Sequence, residues 1–128
     1  MCLKKIISKL FSKKVVTKFP SVVVGEVVEL RKHPNADKLQ LVKVDIGKEV
    51  LDIVCGARNM KIGDRVATAL VGANLPNNIE IKEATIRGAK SFGMLCAIDE
   101  LGVGTDHSGI LILKPSAKIG DSIDKYLN

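Results

Sequence analysis

Hydrophobic and polar positions follow two different periods along the chain. In residues 3–15, apolar side chains recur every three or four positions, with lysine and serine between them. This period is typical of an amphipathic helix. From Val22 onward, valine-rich and alternating segments replace it, and such segments are typical of strands. The pattern therefore predicts a short basic helix followed by a domain made of strands. The apolar positions of the predicted helix are Leu3, Ile6, Ile7, Leu10, Phe11 and Val15.

Short strands separated by turns account for most of the remaining chain. Eleven glycines mark strand ends and corners, where a small closed barrel needs bends and bulges. Many short strands with few helices favour an all-β barrel over an α/β sheet. We expect turns at 47–49 and 88–90, one helical turn at 99–101, and a closing helical turn over 121–127. The predicted strands are Val22–Leu30, Leu39–Ile46, Val50–Cys55, Val66–Val71, Ala84–Arg87, Ser91–Ala97 and Ile110–Leu113.

Length and composition are those of one globular domain. The chain has 128 residues, of which 46% are hydrophobic and 27% charged, and such a chain can bury a core without disulfides or metals. Aromatic residues make up only 3%, which argues against a protein that stacks successive bases on aromatic side chains. The apolar runs are too short for a membrane-spanning helix, and no secretory signal is evident. We therefore expect a cytoplasmic protein.

The excess positive charge lies at one end of the chain. Residues 1–18 contain six lysines and no acid, while the whole chain has 20 basic and 14 acidic residues. Residues 19–128 are therefore formally neutral. We divide the chain into an N-terminal arm (residues 1–18) and a barrel domain (residues 19–128). A basic arm suggests a polyanion partner, either nucleic acid or an anionic membrane surface. A solvated tail that aids solubility is the alternative.

The three cysteines indicate a reducing environment and no metal site. Cys55 and Cys96 lie in apolar segments and are expected to be buried thiols, as cytosolic proteins usually have. Cys2 leaves the number odd, and its place beside the predicted helix is compatible with acylation. Neither C-x-x-C nor H-x3-H spacing supports a zinc site built from these cysteines with His33 and His107.

Sequence features of catalysis are weak. Asp106-His107-Ser108 resembles a catalytic triad only in composition, because adjacent residues rarely project toward one point. A turn stabilised by local hydrogen bonds explains these residues as well. No phosphate-binding or dinucleotide-binding glycine motif is present. We therefore expect no enzyme activity, no cofactor and no metal, with a small hydrolase around His107 as a remote alternative.

Two groups of basic residues fall next to predicted strand ends. The first surrounds a turn at Pro34-Asn35 and comprises Arg31, Lys32, His33 and Lys38. The second group comprises Arg58, Lys61, Lys82, Arg87 and Lys90. Arginine and asparagine suit phosphate and sugar contacts, and glycine allows close backbone approach. With few aromatics, recognition would rely on backbone shape and 2′-hydroxyls, as for structured RNA.

Seven separated motifs occur in order over roughly residues 22–127. They are His33-Pro-Asn-Ala-Asp-Lys-Leu39, Ile53-Val-Cys-Gly-Ala-Arg-Asn59, Ala69-Leu-Val-Gly-Ala-Asn-Leu-Pro76, Ile86-Arg-Gly88, Ser91-Phe-Gly-Met-Leu-Cys96, Glu100-Leu-Gly102 and Asp106-His-Ser-Gly-Ile110. Together they resemble the tRNA-binding domain of the bacterial phenylalanyl-tRNA synthetase beta chain. The first, fourth and fifth motifs also occur in the wider family, which includes the C-terminal domains of methionyl-tRNA synthetases and small free-standing tRNA-binding proteins.

The resemblance implies a fold, a ligand and a set of contact residues. The fold is an OB-fold, a five-stranded Greek-key barrel, and the ligand is tRNA, bound without catalysis as part of protein biosynthesis. The chain would act as a free-standing protein or as the tRNA-binding domain of a synthetase beta chain. We favour the first, because residues 1–18 do not resemble the synthetase leader and the chain stops at the barrel's end. The residues that match family positions implicated in tRNA contact are Lys38, Arg58, Asn59, Arg87 and Ser91.

A second function is compatible with the same sequence. The barrel would then be a protein-interaction or membrane-surface docking module with little RNA affinity, and the arm would supply the contact. RNA needs only the lysines of the arm, whereas a membrane or a protein partner also needs its apolar stripe. A homodimer and an anionic membrane surface bound through residues 1–18 therefore remain open as partners beside tRNA.

Overall fold

The computed structural model describes Phe19 and residues 21–102, 104–105 and 108–127. The predicted N-terminal helix, Cys2 and the Asp106-His107 pair lie outside these residues. Two 3-10 turns, Pro76–Asn78 and Ile123–Tyr126, are the helical elements of the described part. Its strands are β1 Val22–Lys32, β2 Gln40–Asp45, β3 Val50–Cys55, β4 Arg65–Leu70, β5 Asn74–Leu75, β6 Ile79–Glu80, β7 Ala84–Ile86, β8 Ala89–Ser91, β9 Gly93–Leu95 and β10 Ile112–Leu113.

One curved antiparallel sheet forms most of the fold. Its strand order is β9-β4-β1-β2-β3, and β10 also pairs with β4. The two ends of this path meet, because the Phe92 amide donates to the Asp52 carbonyl at 2.8 Å. The Val54 amide also donates to the Ser91 hydroxyl at 3.0 Å. The predicted all-β class is confirmed, and these two bonds close the sheet into a barrel.

Strand β1 belongs to both halves of the barrel. Residues 22–26 pair with β4, whereas residues 26–32 pair with β2, and the register shifts at a bulge between Val27 and Glu29. Gly25 lies one residue before Glu26, where β1 changes its pairing from β4 to β2. A Cβ at this position would overlap the Val44 side chain and approach the Thr68 hydroxyl to 2.7 Å. The absence of a side chain therefore lets the sheet close here.

The barrel interior is filled by two hydrophobic clusters. One contains Cys96 and Phe19, and the other contains Cys55 and Ile53. Both thiols are free and buried, so the prediction of buried cysteines is confirmed for these two. Burial raises the pKa of the Cys96 thiol to about 12 and also raises the pKa of Cys55, because a thiolate is poorly solvated in an apolar interior.

Two local predictions differ from the structure, and one hairpin of the structure was not predicted. The turn expected at 88–90 is a two-residue loop at Arg87-Gly88, flanked by the Ile86–Ala89 pair. The strand expected over 91–97 is broken at Phe92, since β8 pairs with β7 and β9 pairs with β4. The β5–β6 hairpin was not predicted, because two-residue strands carry too little alternation to be recognised. Among the described helices, none is long and apolar enough to cross a membrane.

Candidate nucleic-acid interface

The loop between β1 and β2 is the centre of the candidate interface. Turns at residues 34–35 and 37–38 fold it back on itself. The Leu39 amide donates to the Ala36 carbonyl, and the His33 amide donates to the Leu39 carbonyl, both at 3.1 Å. Pro34 and Asn35 are residues that favour such turns. The loop therefore has a fixed shape and presents Lys38 to solvent.

His33 is a buried support of this loop, not a surface cation as the sequence suggested. Its side chain is only 1% exposed. The Asn35 amide donates to Nδ1 at 2.9 Å, and Nε2 lies 3.0 Å from the Ile86 carbonyl. Because an amide can only donate, Nδ1 is the acceptor and Nε2 carries the proton of a neutral ring. The imidazole thereby ties the β1–β2 loop to the β7–β8 hairpin.

Arg87 lies at the tip of that hairpin in an uncommon backbone conformation. Its φ is +54° and that of Gly88 is +89°. Positive φ at both central residues is the geometry of a two-residue type I′ hairpin loop. Glycine adopts it freely, but arginine does so with some strain. A Cβ at Gly88 would lie 3.9 Å from the Asn35 side chain, so the hairpin tip that carries Arg87 adjoins the β1–β2 loop.

Arg58 joins the same end of the barrel from the segment after β3. Its guanidinium donates to the Asp37 carbonyl at 2.7 Å, next to Lys38 in the chain. The Lys32 ammonium lies 3.8 Å from the carboxylate of the same Asp37. We call this surface the cationic end, and it consists of Lys32, Lys38, Arg58 and Arg87 around Asp37. All four cations are exposed; Lys32 ends β1, and the other three lie in three separate loops.

The remaining two predicted contact residues make structural hydrogen bonds. The Asn59 side chain donates to the Ile110 carbonyl at 2.9 Å and accepts from the Ile110 amide at 3.1 Å. The buried Ser91 hydroxyl accepts from the Val54 amide at 3.0 Å and donates to the Gly93 carbonyl at 3.2 Å. Their polar side-chain atoms already have protein partners.

The groove beside the cationic end holds three cations and two carboxylates, and two of the cations are paired. It has a volume of about 210 Å³ and is lined by parts of β1, β2, β3 and β8. Lys43 pairs with Asp52 at 2.7 Å, and Arg31 pairs with Glu29 at 2.9 Å. The hydrogen bond to Asp52 raises the pKa of Lys43. Since its cations are largely neutralised, this groove attracts an anion less than the cationic end does.

Sequence reasoning missed the supporting role of His33 and did not single out Lys32 as a contact residue. The signal for Lys32 was its place before the turn, within reach of Asp37. No sequence signal distinguishes a buried from an exposed histidine in a polar loop. Within residues 19 and 21–127, apart from the gaps named above, no group of three metal-ligating side chains is assembled.

Comparison with known proteins identifies the family to which the chain belongs. A sequence profile for the family described as "Putative tRNA binding domain" matches residues 22–122, which include all of the cationic end. The chain belongs to this tRNA-binding domain family. The matched region is the non-catalytic accessory domain that phenylalanine–tRNA ligase beta subunits carry.

Individual relatives of this tRNA-binding domain agree with the assignment. It is 54% identical over 114 residues to the phenylalanine–tRNA ligase beta subunit of Sodalis glossinidius, covering 88% of the chain but 14% of that subunit. The C-terminal domain of Plasmodium vivax p43 matches 81% of the chain, and 58% of its own, with a TM-score of 0.55 and 28% identity. A MetRS related protein from Pyrococcus horikoshii shares the fold, with a TM-score of 0.59 at 22% identity over 81% of the chain and 88% of its own.

Proposed function

We propose that this domain binds tRNA through the cationic end. The observation that carries the proposal is the arrangement of exposed cations from three parts of the chain. The buried His33 joins two of these parts, and the Arg58–Asp37 hydrogen bond joins the third. Lys38, Arg58 and Arg87 would contact phosphate groups directly. Asn59 and Ser91 would act by holding the backbone that presents them, since their polar atoms are already paired.

The chemistry of these residues favours recognition by shape and backbone. Arginine binds a phosphate through two parallel hydrogen bonds, and lysine acts as a mobile point charge. None of the four residues is aromatic, so this surface has no aromatic platform on which splayed bases could stack. The spacing of cations on a rigid surface would then select a folded RNA with matching phosphates.

The N-terminal arm would supply the long-range attraction. Residues 19–128 are formally neutral, and six lysines lie in residues 1–18. Long-range steering of a polyanion depends on net charge, which the arm provides. The role of the cationic end is the same for a free-standing protein and for a domain of a longer synthetase chain, because this surface needs no residue outside the matched region. An immunoblot of the source cells distinguishes these two forms by size.

The experiment is filter binding of bulk tRNA at several salt concentrations. Replacing Lys38, Arg58 and Arg87 together with alanine should flatten the plot of log affinity against log salt by about two to three units. The matched control removes three exposed cations elsewhere: Lys114, Lys118 and Lys125. An equal loss in the control, or an unchanged slope in the first variant, would refute the proposed surface.

A second pair of variants tests the arm within the full chain. Replacing Lys4, Lys5 and Lys9 with glutamine should flatten the slope by about two units if these lysines touch phosphate. Replacing Leu10 and Phe11 with serine keeps every charge and should leave the tRNA slope intact. Loss of binding to anionic vesicles in the second variant, with an unchanged slope in the first, would instead support the membrane role.

A further inference from the structure

An apolar groove lies at the end of β2 and β3 that is farthest from the cationic end. It has a volume of about 370 Å³, within the range of about 300–1,000 Å³ that ligand pockets occupy. Its apolar lining consists of Leu51, Leu70, Val71 and Phe92. Its charged lining consists of two carboxylates, Glu49 and Glu83, and one ammonium, Lys48. We call it the apolar groove.

The lining of the apolar groove is unusually accessible for such side chains. Val71 is 50% exposed, and Val50 next to the groove is 53% exposed. Phe92 is only partly buried, although it is one of four aromatic residues in the whole chain. Leu51 and Leu70 are also only partly buried, so an apolar occupant would remove this surface from water.

The chain enters the barrel beside this groove. The carbonyl of Ser21 accepts a hydrogen bond from the amide of Leu70, a lining residue, at 2.9 Å. Phe19 is buried, and its amide donates to the Asp124 carboxylate at 3.1 Å. Three residues separate Phe19 from the segment 3–15, and a link of this length spans at most about 10 Å. A helix over residues 3–15 would be about 20 Å long, so it can reach across the groove.

The chemistry of the segment complements that of the groove. Its apolar side chains recur at helical spacing, and its flanking charges are all positive. The groove offers an apolar floor and one more carboxylate than ammonium. Neither Glu49 nor Glu83 forms an ion pair within the described residues. An isolated helix of this length is marginal in water, and tertiary contact is what usually stabilises one.

We propose that residues 3–15 dock as an amphipathic helix in the apolar groove of their own barrel. The apolar stripe packs on Leu51, Val71 and Phe92, and lysines at its margin pair with Glu49 and Glu83. The remaining lysines point away from the barrel. The arm is then a positioned element with its apolar side chains covered, so its stripe is not free to enter a membrane.

Paramagnetic relaxation in the full chain tests this docking. A nitroxide is attached to a cysteine introduced by Ser8→Cys, on the polar face of the predicted helix, with Cys2→Ser. Cys55 and Cys96 are buried and should not react under native conditions. Amide signals of Leu51, Val71 and Phe92 should lose most of their intensity. Signals of Val28 and Ile62, two exposed apolar residues outside the groove, should keep theirs.

Three variants and one mixing control make the result specific. Val71→Glu should restore the groove signals, whereas Ile62→Glu, at the other exposed apolar position, should not. Glu49→Lys with Glu83→Lys should restore them without altering the apolar lining. Equal broadening over the whole surface would overturn the proposal. So would groove broadening that appears between labelled and isotope-enriched molecules in a mixture, because the occupant would then be a second copy.

Discussion

His33 and Ile86 are 53 positions apart, yet the imidazole Nε2 of one lies 3.0 Å from the main-chain carbonyl of the other. This hydrogen bond fixes the distance between the β1–β2 loop and the β7–β8 hairpin. Each of these segments carries one of the cations proposed to contact tRNA, Lys38 and Arg87. A buried, uncharged side chain thus determines how far apart two exposed charges lie.

Removing the imidazole should therefore weaken the fold and the binding together. In His33→Leu, the Asn35 amide and the Ile86 carbonyl lose their partner, and a buried unpaired polar group costs about 1–3 kcal/mol. We expect the free energy of unfolding to fall by this amount in a urea titration. Filter binding without urea, at a temperature where the variant is still folded, should show weaker tRNA binding. Unchanged affinity in a folded variant would mean that the loop spacing does not matter.

Arg87→Asn should make the protein more stable and weaken its binding to tRNA. Asparagine tolerates the left-handed backbone better than arginine does, so the free energy of unfolding should rise by about 0.5–1 kcal/mol. The loss of one phosphate contact should reduce the salt slope by about one unit. Lys90→Asn removes the same charge three residues later, where the backbone is an ordinary strand, and should bring no gain in stability.

Asn59→Asp should lower stability without specifically weakening RNA contact. The aspartate places a carboxylate against the Ile110 carbonyl, where the amide now donates at 2.9 Å. We expect a loss of about 1–3 kcal/mol in the free energy of unfolding, measured by urea titration. Asn59→Ala provides the comparison without the added charge. If its folded fraction binds tRNA with the normal salt slope, Asn59 is a structural residue; a slope reduced by one unit would assign it a phosphate contact.

Cys96 should make the fold sensitive to alkali. Its pKa is raised from 9.0 to about 12 in the folded chain, so above pH 9 the unfolded chain binds fewer protons. The free energy of unfolding should then decrease as pH rises from 9 toward 12, by about 1 kcal/mol per pH unit. Urea titrations of wild type and Cys96→Ala isolate this contribution, since lysine and tyrosine titrate in both. Parallel curves for the two proteins would contradict it.

The sequence predicts the main strands well because their side chains alternate or are almost all apolar. Strand β3 agrees at both ends, and β4 differs by one residue at each end. The cationic end is predicted only in part, since periodicity does not reveal which loops meet. Asn59 shows why: a polar residue in a family motif serves equally well as a ligand contact or as a tertiary hydrogen-bonding partner. Only the position of Ile110, fixed by the fold, distinguishes these roles.

The way in which the barrel closes at Ser91 determines where the fold opens locally. Between β3 and the segment at 91–93, a serine hydroxyl takes the place of a main-chain carbonyl as the acceptor for the Val54 amide. Continuous ladders join the other principal strands, so this seam is the junction with the fewest main-chain bonds to break. Local opening follows the least-bonded boundary, and the Val54 and Phe92 amides should exchange with solvent deuterium before those in the middle of β1. The barrel then opens at this seam, and the β7–β8 hairpin with Arg87 moves with the edge that separates from β3.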